Sequence, residues 1–121
     1  MAENKKPNRK PAAEPTDRFK VPCNEVLNDL DGKPMKEGDK AVTLGLVLSA
    51  AMLGDAKPEG VTMKVQDRLF LARKFKAGKP CEVKIATFEA VKKIVALHFE
   101  KAPLYSGQAL ELMGESPSED L

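Results

Sequence analysis

Hydrophobic positions in this chain fall into blocks of two periods, separated by clusters of Pro, Gly and charge. From Ala41 to Gly54 the stretch AVTLGLVLSAAMLG carries no charged side chain. Leu44, Val47, Leu48 and Ala51 recur at helical spacing, while Gly45, Ser49 and Met52 form another side whose small residues permit close approach of a neighbouring backbone. Thr43 is placed to cap this helix at its start and Gly54 to close it in the αL conformation. A helix apolar on every side belongs in the middle of a bundle, so the others are expected to wrap it.

The same period predicts three more helices. The second runs from an N-cap at Thr62 to Ala77 and Gly78, with Val65, Leu69, Ala72 and Phe75 on one arc and Met63 and Phe70 on its flank. That phase puts Lys64, Asp67 and Lys74 on the far side with Leu71 among them, which makes Leu71 the apolar residue expected to stay exposed. A third, capped by Thr87, carries Phe88, Val91, Ile94, Val95, His98 and Phe99 on one face. Its opposite face holds Glu89, Lys93 and Glu100, with Glu89 and Lys93 as an i, i+4 pair, and Pro103 ends it. A last short helix spans roughly Ser106 to Met113 and stops at Gly114.

Ahead of the first helix, Asp31-Gly32 predicts the two-residue turn of a small β-hairpin, and Pro22 and Pro34 keep its strands short or at an edge. CEVKI, Cys81 to Ile85, alternates as a short strand. Residues 1–18 hold three prolines and no large apolar residue after Met1, so they read as a disordered basic arm, and residues 115–121 as an acidic tail. Between them lies one domain, residues 19–114. The fold class is α+β, mainly α: a compact bundle of about four short helices with a small N-terminal β-hairpin.

Composition agrees. A chain of 121 residues holds one modest core, and 42% hydrophobic with 5% aromatic and no Trp suits helices filled by Leu, Val, Ala and Met. As a helix the fourteen-residue uncharged run would reach about 21 Å, short of the roughly 30 Å of a bilayer core. No membrane role is expected. The net charge of +2 is uneven, with residues 60–101 carrying ten basic and four acidic groups and residues 102–121 carrying four acidic and no basic ones. Cys23 and Cys81 have no CxxC spacing and no secretory segment precedes them, so they read as reduced thiols of a cytoplasmic protein, the alternative being a disulfide or redox pair.

Chemistry is scarce. His98, the only histidine, projects from an apolar face and reads as a packed side chain with one nitrogen satisfied; no second His exists to build a zinc site. Asp29 and Asp31 are explained by turn formation, and with Glu37 they miss the calcium-loop spacing. No phosphate-binding glycine motif and no nucleophile elbow is present. The chain therefore reads as a non-enzyme with no cofactor and no metal. Nucleic-acid binding is the alternative reading, through Lys5, Lys6, Arg9 and Lys10 of the arm and Arg68, Arg73 and Lys76 of the second helix. Those helical basic groups point in several directions rather than forming one face.

Asp31-Gly32-Lys33-Pro34, Thr43-Leu44-Gly45, Leu71-Ala72 and the run Pro103-Leu104-Tyr105-Ser106-Gly107-Gln108 ending in Leu112 together resemble small accessory proteins of tailed bacteriophages and prophages. The resemblance spans about Phe19 to Met113 and leaves out the basic arm. It implies a phage accessory protein of the host cytoplasm that binds a host enzyme or a virion protein, as inhibitor, adaptor or assembly factor. The contact residues expected on that reading are Lys64, Leu71 and Lys74, with Tyr105 and Gln108, in a monomer or small homo-oligomer.

Overall fold

The computed structural model describes residues 18–117. The fold is α+β and mainly helical, as the sequence predicts, in the order β1 (Arg18–Val21), β2 (Lys36–Glu37), β3 (Lys40–Ala41), α1 (Leu44–Leu53), α2 (Val65–Lys76), β4 (Cys81–Lys84), α3 (Ile85–His98) and α4 (Pro103–Leu112). Residues 1–17 of the predicted arm lie outside the described residues. Arg18, assigned to that arm, instead opens β1.

The uncharged run becomes α1, which packs against α2, α3 and α4. Leu44, Leu48 and Ala51 are fully buried, with Val47, Met52 and Ser49 nearly so, while Leu46 is half-buried and Ala50 and Leu53 are exposed. Thr43 caps it as expected, its hydroxyl accepting the Leu46 N–H at 3.3 Å. Two further amides are taken by the preceding loop, Leu44 N–H donating to Glu25 O and Gly45 N–H to Cys23 O. The small face also behaves as read: a Cβ on Gly45 would run into the carbonyl oxygen of Phe75 at the end of α2. Gly54 departs from the prediction. Its φ of −79° is not left-handed, and the His98 imidazole occupies the space where a Cβ would stand. Glycine is needed there for room, not for backbone freedom.

The N-terminal hairpin exists, but its two-residue turn is Gly38-Asp39, between Glu37 and Lys40, with Gly38 at φ 66°. Asp31-Gly32 belongs to a three-residue connection in which Asp29 N–H donates to Lys33 O at 2.7 Å. Asp29 Oδ1 accepts the N–H groups of both Asp31 and Lys33 at 2.9 Å, and this side-chain turn widens the loop beyond two residues. The expected strand at Cys81 forms as β4. Its partner is β1, antiparallel, with Phe19 opposite Val83 and Val21 opposite Cys81. Val21 and Val83 face the core, and the Phe19 ring lies against Phe88 of α3, centroids 3.9 Å apart.

Three helix starts move. Neither Thr62 nor Thr87 caps a helix: α2 begins after Lys64 and α3 after Lys84, with no side-chain cap bond at either. Strand β4 runs straight into α3, which leaves Thr87 inside the first turn. Pro103 opens α4 at its first helical position instead of terminating α3, which closes at Phe99. The predicted Glu89 and Lys93 pair is replaced by Glu89 and Lys92 at 3.2 Å, and Lys92 also binds Glu115 at 2.6 Å. Those two carboxylates, Glu115 first, hold the Lys92 ammonium above its ordinary value. Gly114, at φ 98°, stops α4 as expected, its N–H donating to Glu111 O and that of Glu115 to Leu110 O. Glu115 is thus part of the helix cap rather than of a free tail, and residues 118–121 lie outside the described residues.

Candidate functional site

The phase of α2 decides which side chains the molecule presents. Arg68, Leu71, Ala72 and Phe75 stand at i, i+3, i+4 and i+7 and form the inner face, where Leu71 retains 5% of its accessible surface. The expectation of an exposed Leu71 is therefore overturned. The helix is rotated from the predicted arc because an arginine occupies an inward position. Arg68 Nε donates to Met52 O, Nη1 to Ala56 O, and Nη2 to Ala51 O and Gly54 O, at 2.8 to 3.1 Å. Carbonyls at the end of α1 and in the loop after it are gathered by one guanidinium, Ala51 O also accepting the Gly54 N–H, and the charge suits the negative end of the helix dipole. Arg68 is consequently spent inside the fold and is withdrawn from the nucleic-acid candidates.

That rotation turns Val65, Leu69 and Phe70 outward. Val65 is 79% exposed, Phe70 63% and Leu53 at the end of α1 63%, with Leu69 also on the surface. Single exposed hydrophobics are ordinary, but Leu53, Val65 and Leu69 line one groove of about 490 Å³, with Val61, Pro58 and Lys57. On the other flank of α2 lies a second groove of about 450 Å³, where Phe70 meets Arg18 of β1, Lys84 of β4 and the start of α3. Thr62 and Met63 line both, so the two grooves run along one continuous surface.

The predicted contact residues divide. Lys64 is exposed at the N-cap of α2 and lines neither groove. Lys74 is half-buried on its second flank, its Nζ donating to Glu82 O at 2.8 Å and standing 5.8 Å from the Phe70 ring centroid. Tyr105 lies elsewhere, half-buried and stacked on Phe99 at 5.6 Å. Gln108 is a structural clamp: its amide accepts the Asn28 N–H at 2.8 Å and donates to Asn28 O and Leu104 O, pinning α4 to the segment ahead of β2 as a strand neighbour would. Arg73 and Lys76 are exposed, and Lys5, Lys6, Arg9 and Lys10 lie outside the described residues. Sequence reasoning missed Leu53, Val65, Leu69 and Phe70; the i, i+3, i+4, i+7 spacing of Arg68 with Leu71, Ala72 and Phe75 was the signal for them.

His98 is half-buried, with its ring edge-on to Phe99 at 4.5 Å and against Gly54. Among the described residues it makes no hydrogen bond, so the satisfied nitrogen expected of it is not found there. No three His, Cys, Asp or Glu side chains cluster as a metal site among the described residues, and no described helix is long and apolar enough to cross a membrane. Comparison with known protein families, with curated proteins and with solved structures finds no match.

Proposed function

We propose that this is a non-enzymatic protein-binding module of phage or prophage origin, working in the host cytoplasm by occupying a surface of a host or virion protein. Its contact surface on this reading is the outer face of α2. The supporting observation is the gathering of Leu53, Val65 and Leu69, all exposed, in one groove. Asp55 and Lys57 line the same groove, and a helical segment of a partner with one apolar side matches this run of exposed hydrophobics.

Burying a Val or Leu side chain contributes about 1.5–3 kcal/mol, so Val65→Asp with Leu69→Asp is expected to weaken partner binding by about 100-fold or more. Val65 is 79% exposed and Leu69 39%, so the double variant should stay folded with a modestly lower melting temperature. Leu97→Asp, on α3 and away from this groove, is the control and should bind normally. Wild-type affinity in the double variant would remove α2 as the contact surface. The nucleic-acid alternative retains Arg73 and Lys76 but has lost Arg68; absence of binding to random DNA at low salt would dismiss it.

A further inference from the structure

Cys23 and Cys81 are 58 residues apart in the chain, yet their Sγ atoms stand 3.9 Å apart. Register and a tight turn bring them together. Val21 lies opposite Cys81 in the β1–β4 ladder, and Cys23 N–H donates back across Pro22 to Val21 O at 2.9 Å. The chain reverses there, returning the Cys23 side chain over the first residue of β4. Both cysteines are free thiols, and their sulfurs have to close to about 2.05 Å to bond. Access differs between them, Cys23 being fully buried and Cys81 half-buried.

We propose that Cys23 and Cys81 form a reversible redox cross-link, Cys81 meeting a low-molecular-weight disulfide such as oxidised glutathione and Cys23 resolving the product. The Cys81 thiolate attacks one sulfur of the oxidant, forming a mixed disulfide and releasing one glutathione thiolate, which takes up the proton Cys81 gave. Cys23 sulfur then attacks Cys81 Sγ, expels the second glutathione as a thiolate and passes its own proton to it. One small disulfide is reduced to two thiols while two protein thiols become one disulfide. The order of events follows from burial, which pushes the Cys23 thiol up to about 12 and keeps it protonated and shielded at neutral pH. The bond closes a loop containing α1 and α2 and fastens β1 to β4. The proposal rests on the sulfur geometry and holds whether or not α2 is the contact surface.

The test incubates the full chain with oxidised glutathione, blocks free thiols in denaturant and reads intact mass. Wild type should lose two hydrogens, leave no thiol to block, and recover both thiols with dithiothreitol. Cys23→Ser should stop at one glutathione adduct on Cys81, and Cys81→Ser should react about tenfold more slowly or less. A wild-type protein that stays reduced, halts at the mixed disulfide or cross-links into dimers overturns the proposal.

Discussion

Adding one methyl group at Gly45 sets two effects of known size against each other. Alanine favours a helix interior over glycine by about 1 kcal/mol. The new Cβ, however, would land on the carbonyl oxygen of Phe75 and within 3.1 Å of Cys23 O, both of them backbone atoms that cannot rotate away. Overpacking of this kind costs about 1–3 kcal/mol, and here it wins. Gly45→Ala is expected to destabilise the protein by about 1–2 kcal/mol, seen as a lower urea midpoint. A midpoint that rises would show that α1 and α2 do not approach as closely as described. This close approach was legible in the sequence, since Gly45 and Ser49 fall on one side of an otherwise bulky helix. The different role of Gly54 was not, because the imidazole that needs its space arrives from 44 residues downstream.

At the level of elements, the end of α1 and the loop after it present four carbonyls to one side chain of α2, and of these Ala51 O also has a local donor, the Gly54 N–H. Arg68→Lys keeps the charge but replaces a planar fork by a single ammonium that cannot reach four separate carbonyls. The expected loss is about 2–3 kcal/mol, whereas Arg73→Lys, on the exposed side of the same helix, should stay within about 0.5 kcal/mol. Equal stability of the two variants, by denaturant unfolding, would refute the capping role. The existence of the first three helices was legible because apolar residues recur at their period over ten or more positions, and that of the fourth from a shorter run closed by Gly114. The phase of α2 was not, because an arginine was assumed to face water, and with the phase went the candidate surface. The helix starts at Thr62 and Thr87 were misplaced in opposite directions: α2 begins later, after Lys64, and α3 earlier, because β4 runs straight into it.

Across the molecule, stability should carry a signature of the buried thiol. Burial first, then the neighbouring Cys81, raise the Cys23 thiol from 9.0 to about 12. The folded protein therefore holds this proton more tightly than the unfolded chain. That stabilisation is complete below pH 9.0 and is lost as pH climbs towards 12, by at most about 1.4 kcal/mol per pH unit. Under reducing conditions, the stability difference between wild type and Cys23→Ala is expected to shift against wild type as pH rises above 9.0. A gap that stays constant over that range, followed by urea titration, would contradict it. The proximity of the two cysteines was beyond sequence reasoning, because it depends on β1 and β4 pairing across the whole helical core.

Arg18, the first residue of β1, also lines the groove beneath Phe70. A label carried on Arg18 itself would sit at the surface whose occupancy is to be measured, whereas one carried on Pro117 lies against α4. Attachment at Pro117 is thus the arrangement that leaves the outer face of α2 unobstructed.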